Sequence, residues 1–264
     1  MFRFTYPKSD KAFIMIDMNH TLWQNCEWSN LRMENDSTLT GYKLVKGWGP
    51  ERHVYFTAVF SKKLKNLRIM QDKKPVIYNT SRFRSCYEAW GKNLMACISF
   101  AAEEGEEVIV KTSVSAVSTA GATLNLQELN GMTFDALREK GVGLWEKELS
   151  KYQIEAKPEV KEAFYTAAYR AALHPFVFQD ADGQFRGLDK NIDKAEGFTN
   201  YTVFSLWDTY RALHPWFNLV HQDVNADIAN SMLAHYDKSV EKMLPIWSFY
   251  GNETWCMIGY HAVS

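Results

Sequence analysis

Phe198-Thr-Asn-Tyr-Thr-Val-Phe-Ser-Leu-Trp-Asp-Thr-Tyr-Arg-Ala-Leu-His-Pro-Trp-Phe217 decides how the second half of this chain is read. Its periodicity predicts a helix that is apolar nearly all the way round. Val203, Leu206, Tyr210 and Leu213 form one stripe, Phe204 and Trp207 cover the next face, and Pro215 ends the element. A helix without a polar face belongs inside a larger helical assembly. Asp208 and Arg211 nevertheless sit on it one turn apart, and burying a charge is costly unless it is paired. An aspartate and an arginine flanked by tryptophan and tyrosine suit a sugar, with hydroxyls for the charges and a ring face for the aromatics. The alternative is an i,i+3 salt bridge that holds the helix in register.

The same period of 3.6 runs through most of the chain beyond residue 126. Thr133-Phe-Asp-Ala-Leu-Arg-Glu-Lys-Gly-Val-Gly-Leu-Trp-Glu-Lys-Glu-Leu149 is amphipathic, with Thr133 as N-cap, and reads as a linker helix. Gly141 and Gly143 weaken it enough to allow two shorter helices. Pro158 to Pro175 is a second helix, with proline in its first turn and again after its end. Its last turn, Tyr169-Arg-Ala-Ala-Leu-His-Pro175, nearly repeats in Tyr210-Arg-Ala-Leu-His-Pro215, about forty residues on, the period of a helix pair plus loops. Asp223 to Tyr236 is a third helix. A fourth is expected from Asn252, cut off at Ser264 in the middle of its pattern, so that the chain reads as truncated.

Upstream the period is two. Ala12–Ile16, Val54–Phe60, Leu67–Met70, Leu94–Phe100 and Val108–Val114 are short apolar or alternating runs. Lys46-Gly-Trp-Gly-Pro50 and Glu103-Glu-Gly-Glu-Glu107 bound them as turns. Many short strands separated by turns predict an antiparallel sandwich over residues 1–125.

Composition is that of an ordinary globular chain, 46% hydrophobic and 23% charged over 264 residues. A net charge of -1 gives no electrostatic reason to expect nucleic acid or an anionic membrane as partner. Aromatic content is high at 14%, consistent with large cores or with a carbohydrate site. No apolar run approaches the roughly 18 residues that span a bilayer. Met1 to Asp10 lacks the apolar centre of a signal peptide. Cys26, Cys86, Cys97 and Cys256 show no CxxC pair and read as small buried hydrophobes.

With these elements in place, Tyr201-Thr-Val-Phe-Ser-Leu-Trp-Asp-Thr-Tyr-Arg-Ala-Leu-His-Pro215 closely resembles the signature of glycoside hydrolase family 92, the calcium-dependent exo-acting α-mannosidases. Phe164–Pro175, Leu244-Pro-Ile-Trp247 and Gly251-Asn-Glu-Thr-Trp-Cys-Met-Ile-Gly-Tyr-His-Ala262 agree with it in order and spacing, and Val108 to Leu126 looks like the last strands of that family's N-terminal domain. The resemblance implies an α+β two-domain chain. An antiparallel β-sandwich over 1–125, lacking its first strands, is followed by linker helices over 126–157 and by the first helices of an (α/α)6 toroid over 158–264. It implies inverting hydrolysis of terminal α-linked mannose in mannose-containing glycans. Such a mechanism needs two carboxyl groups about 6.5–9.5 Å apart.

By position, the resemblance makes Trp207, Asp208 and Arg211 the lining of the terminal-mannose pocket, with Glu253 and Cys256 on its wall. The family's general acid, general base and calcium ligands come from later toroid helices, beyond Ser264. The chain is therefore expected to be inactive by itself, and calcium ligands are expected outside it. A periplasmic, cell-surface or secreted location also follows from the resemblance. Two rivals stand beside this reading: a non-catalytic carbohydrate-binding remnant, and another sandwich-plus-toroid glycosidase or phosphorylase.

Several residues invite other readings. Asp180-Ala-Asp-Gly-Gln-Phe-Arg-Gly-Leu-Asp189 looks a little like a calcium loop, but Gly183 is fourth rather than sixth, and an acidic helix-connecting turn fits better. Asp208 and Glu253 could form an acid/base pair. The resemblance argues instead for Asp208 as a sugar-hydroxyl acceptor, and for Glu253 as first-turn charge after an Asn252 cap or as pocket wall. His174 and His214 read as helix-end donors. Sequons at Asn19, Asn35, Asn79, Asn200 and Asn252 matter only in a eukaryotic secretory host, and Asn200 lies too close to a buried helix.

Overall fold

Alternation of side chains decides the first half of the computed structural model, which describes residues 1–64, 66–76 and 87–264. Cys86 and the sequon at Asn79 lie outside the described residues. The chain divides into two units, Met1–Phe134 and Asp135–Ser264.

The first unit holds β1 (Phe2–Tyr6), β2 (Ser9–Asp17), β3 (Asn25–Asn35), β4 (Thr38–Lys46), β5 (Arg52–Phe60), β6 (Asn66–Gln71), β7 (Lys74–Pro75), β8 (Glu88–Gly91), β9 (Leu94–Ala102) and β10 (Glu106–Ser115). They form two antiparallel sheets, in the orders β1-β10-β5-β4-β3-β8 and β2-β9-β6-β7. On β9, Leu94, Ala96, Ile98, Phe100 and Ala102 are all buried, as the two-residue period requires. They meet Leu31, Leu39, Ala58, Phe60, Val108 and Val110 of the larger sheet in one core, which makes the unit a sandwich. Gly105 turns the acidic hairpin with φ of 74°, a conformation that glycine adopts without steric cost. After β10, α1 (Thr119–Asn125) is capped by Ser118, whose side chain accepts from the Gly121 N–H at 3.0 Å. The Thr123 hydroxyl lies 2.9 Å from that of Thr57, which seats α1 on the outward face of the larger sheet.

Every strand expected from sequence is present. The β3–β4 hairpin is an addition, and register shifts at Cys26/Trp28 and Met33/Asn35 break its alternation.

The second unit follows on α2 (Phe134–Leu149), which runs unbroken through Gly141 and Gly143. Next come α3 (Pro158–Ala171), with Pro158 at its start, β11 (Phe176–Val177), β12 (Gln184–Arg186), β13 (Ile192–Lys194), β14 (Tyr201–Thr202) and β15 (Phe204–Ser205). They are followed by α4 (Leu206–Thr209), α5 (Leu213–Val220), α6 (Gln222–Lys238) and β16 (Trp247–Ser248). Phe204, Leu206, Phe217 and Ile228 form its buried cluster. Among the described residues no helix is long and apolar enough to cross a membrane.

Four expectations are corrected here. The stretch 198–217 is not one helix. Tyr201–Thr202 and Phe204–Ser205 are short strands, Val203 between them has φ of 67°, and only Leu206–Thr209 and Leu213 onward are helical. Aromatic and β-branched residues at 201–204 favour strands, and ladder partners elsewhere in the unit claim them. Pro215 sits in the first turn of α5 rather than ending a helix, because its missing N–H would have had no partner there. The Tyr-Arg-Ala-Leu-His-Pro repeat has no structural counterpart, since Tyr169 lies within α3 and Tyr210 at the end of α4. Finally, no helix starts at Asn252: the segment bends through Gly251, Trp255 and Met257 at positive φ, and ends in a single 3-10 turn at His261–Val263.

The acidic stretch Asp180–Asp189 is likewise a hairpin approach, not a connection between helices. Asp182 accepts from the Gln184 backbone and side chain at 3.1 and 2.6 Å, bonds that lower its pKa. Asp189 accepts from Asn191 in the same manner, at 3.1 and 3.0 Å.

Candidate functional site

Trp207, Asp208 and Arg211 share the single turn of α4 and the residues just after it. Two buried hydrophobes, Phe204 and Leu206, pin that turn to the cluster of the second unit. Asp208 and Arg211 themselves are exposed. No ion pair joins them: Asp208 Oδ2 accepts from the Ser205 hydroxyl, and the Arg211 guanidinium lies 5.4 Å from both the Trp207 and the Tyr210 ring centroids. The i,i+3 salt bridge, the alternative to a sugar contact, does not form, and both side chains are exposed. Chemically the turn offers a carboxylate fixed by a neighbouring hydroxyl, a guanidinium held over two rings, and an indole face.

Two of the segments that resemble one family signature, Leu244–Trp247 and Gly251–Ala262, meet this turn. β15 pairs with β16, Phe204 opposite Ser248 and Ser205 opposite Trp247. Behind β16, the Glu253 carboxylate accepts three backbone N–H groups, from Ile246 at 2.9 Å, Trp247 at 2.9 Å and Trp255 at 3.0 Å. Glu253 is thus not first-turn charge of a helix. It closes a loop, and its two oxygens face its own backbone. The Thr254 hydroxyl adds a bond to the Trp247 carbonyl at 2.9 Å, and the Tyr260 hydroxyl accepts from the Leu244 N–H at 2.7 Å. The Tyr210 and His261 rings stack at 4.1 Å and 7°. Cys256 is half-buried, and no hydrogen bond or ring contact ties it to the other four residues.

Ser205, Tyr210 and His261 were not singled out from sequence. Ser205 could have been, since a serine three residues before an aspartate at a helix start is a capping spacing. Backbone strain collects at this loop: Val203, Tyr250, Trp255 and Met257 all have φ between 50° and 68°. Non-glycine residues there cost on the order of 1–3 kcal/mol each, and such strain gathers at functional sites.

The histidines do not reach helix-end carbonyls. His214 sits in the first turn of α5, its Nδ1 3.0 Å from Asn225 Oδ1, and burial pushes its pKa down. The His174 ring packs on Phe176 at 4.2 Å. Asn200 is fully buried, its side chain donating to the Phe178 carbonyl at 2.9 Å, which removes it as a glycan acceptor. An apolar recess of about 490 Å³, lined in part by Trp145, Leu173, Phe176 and Phe217, contains none of the five candidate residues.

His235 on α6 supports the site from beneath. It is 3% exposed, its ring lies 5.6 Å from that of Phe204, and its Nδ1 has no hydrogen-bond partner among the described residues. Burial pushes its pKa from 6.5 down to about 4. Below pH 6.5 the unfolded chain therefore binds a proton that the folded chain refuses. Stability held in full above about pH 6.5 is lost as pH falls toward 4, by about 3 kcal/mol across that window. Urea unfolding of the second unit should show this slope, and His235→Phe should flatten it. An unchanged slope in the variant would assign the loss to other groups.

Comparison with known proteins follows the same two-part division. The chain matches the sequence model of the glycosyl hydrolase family 92 N-terminal domain over residues 1–115 and that of the glycosyl hydrolase family 92 catalytic domain over residues 121–264. No match was found among curated proteins. Among solved structures, the family GH92 α-mannosidase BT3965 from Bacteroides thetaiotaomicron is 82% identical with a TM-score of 0.96, over 99% of this chain and 36% of that one. The same protein solved in complex with mannoimidazole matches equally well, at 82% identity and TM-score 0.96, over 99% of this chain and 34% of that chain. The family GH92 inverting mannosidase BT2199 from Bacteroides thetaiotaomicron VPI-5482 shares the fold at 21% identity, with a TM-score of 0.84 over 99% of this chain and 34% of that one. The chain thus spans about a third of the length of these relatives.

Proposed function

The chain belongs to glycosyl hydrolase family 92, and from that membership we propose that it is part of an enzyme that removes terminal α-linked mannose from glycans by inverting hydrolysis. One observation carries the proposal: 82% identity to an α-mannosidase over 99% of this chain. We assign residues 1–125 to the sandwich domain, 126–157 to linker helices and 158–264 to the start of an (α/α)6 toroid.

Within that reading each candidate residue has a task. The Asp208 carboxylate, oriented by Ser205, accepts from sugar hydroxyls, and Arg211 donates to them. The Trp207 indole offers a face to the pyranose. Glu253 acts through the backbone it holds, and so positions β16 rather than touching sugar. Cys256 contributes pocket wall. Mannose-containing glycans are the partners, and an exported location fits a polymer substrate.

The general acid and base belong to residues other than these, and so do the calcium ligands. Among the described residues no group of three or more His, Cys, Asp or Glu side chains could hold a metal ion. No step is routed through a metal here. Calorimetry on residues 1–264 should give only weak calcium binding. A tight stoichiometric site would bring Asp180, Asp182 and Asp189 back as ligands.

The reaction itself is tested on the complete protein. Proton NMR of a p-nitrophenyl α-mannoside digest should show β-mannose as the first product. An α-configured first product would remove the inverting mechanism, and failure to release any mannose would remove the substrate.

A further inference from the structure

The outward face of the six-stranded sheet carries two tryptophans that the reading of the Asp208 turn does not use. Trp28 on β3 is 45% exposed, and Trp90 on the edge strand β8 is 55% exposed. Their inward neighbours Leu31 and Ala89 belong to the sandwich core, so neither indole is spent on that packing. Asn30 pairs with Trp90 and Ser29 with Gly91. Trp28, two residues before Asn30, therefore lies on the same face as Trp90. In this register they are diagonal cross-strand neighbours, a relation that spaces residues by about 7–8 Å.

Trp90 is held in place. Its Nε1 donates to Glu88 Oε1 at 3.0 Å, and Glu88 Oε2 is 3.7 Å from Arg32 Nη1. Arg32 Nε lies 3.3 Å from Glu34 Oε2, and Glu34 Oε1 accepts from the Thr40 hydroxyl at 2.8 Å. The face therefore combines a fixed indole, a second indole beside it, and a row of half-exposed charged donors and acceptors. A purely apolar partner would have to desolvate that row without replacing its bonds with water. A pyranose does not. Its C–H face carries partial positive charge and stacks on the negative face of an indole, while its hydroxyls bond to guanidinium and carboxylate.

We propose that this face of the first unit is a glycan-binding platform that holds an extended α-mannan chain. The choice of mannan rests on the α-mannosidase reading of the second unit, and the platform itself does not.

Affinity electrophoresis of the 264-residue chain through gels containing α-mannan or a β-glucan tests it. Mannan should retard the chain. Trp28→Ala and Trp90→Ala should each weaken retardation by about tenfold in dissociation constant, as expected for loss of an aromatic contact. The double variant should migrate freely, and Trp90→Phe, which keeps a ring, should retain most of the effect. Unchanged melting temperatures would show that the variants fold. Retardation by mannan should also outlast methyl α-mannoside at concentrations that saturate a terminal-sugar pocket, because a single pyranose covers only one of the two indoles. Retardation untouched in the double variant, or none in either gel, overturns the platform while leaving the enzymatic reading intact. Retardation by the β-glucan alone overturns the mannan assignment and leaves the α-mannosidase reading to its own test on mannosides.

Discussion

Asp208→Ala in the complete enzyme is expected to lower kcat/KM on α-mannosides by about a hundredfold or more. The loss corresponds to about 2.7 kcal/mol or more of transition-state stabilisation, at about 1.4 kcal/mol per decade. Asp208 is exposed and, among the described residues, is paired with no cation and bonded to the Ser205 hydroxyl. Removing it therefore strips a sugar acceptor without opening a cavity or stranding a buried charge, and the melting temperature should hold. Hydroxyl contacts that tighten as the ring distorts should appear in kcat rather than KM. Asp208→Asn, which keeps the shape and half the accepting power, should fall between. Near-parent turnover in the Ala variant would strike Asp208 from the pocket.

Glu253→Ala should act on stability. Its carboxylate accepts three backbone N–H groups, from Ile246, Trp247 and Trp255, and each is left to find another acceptor. Hydrogen bonds to a charged group contribute about 1.5–3 kcal/mol each, and water can replace part of that at a half-buried site. A net loss of about 2–4 kcal/mol is expected, read as a lower urea midpoint with unchanged slope. Glu253→Gln keeps one accepting oxygen but turns an amide toward N–H donors, so it should recover less than half. A loss below about 0.5 kcal/mol, the scale of ordinary surface substitutions, would mean that the loop holds without this clamp.

The sandwich was legible in the sequence wherever one face of a strand is consistently apolar. Leu94 to Ala102 shows this plainly, with every second residue in the core. The β3–β4 hairpin was not legible. Ser29 and Asn30 are buried although polar, and two register shifts move the pattern from one face to the other. In the second unit, apolar spacing at 198–217 matched a helix, yet the same residues serve short strands whose partners lie far along the chain. Periodicity carries no information about such partners. Of the candidate site, the turn from Trp207 to Arg211 could be read from local spacing. The clamp at Glu253 could not, because its acceptors and donors are set by loop geometry rather than by residue type.

The two-residue ladder between β15 and β16 also sets an order of events during synthesis. Ser205 is made 42 residues before its partner Trp247. At about 5–20 residues per second, roughly 2–8 s pass in which the turn bearing Asp208 exists without its covering strand. Through that interval Phe204 and Leu206, both buried in the finished fold, have to find shelter elsewhere. α6 is complete by Lys238 and carries Ile228 and His235, so it is the element on hand to shield them until Trp247 emerges. A nascent chain in which Leu206 has emerged and α6 has not should accordingly be the form most readily captured by a chaperone that binds exposed aromatic side chains.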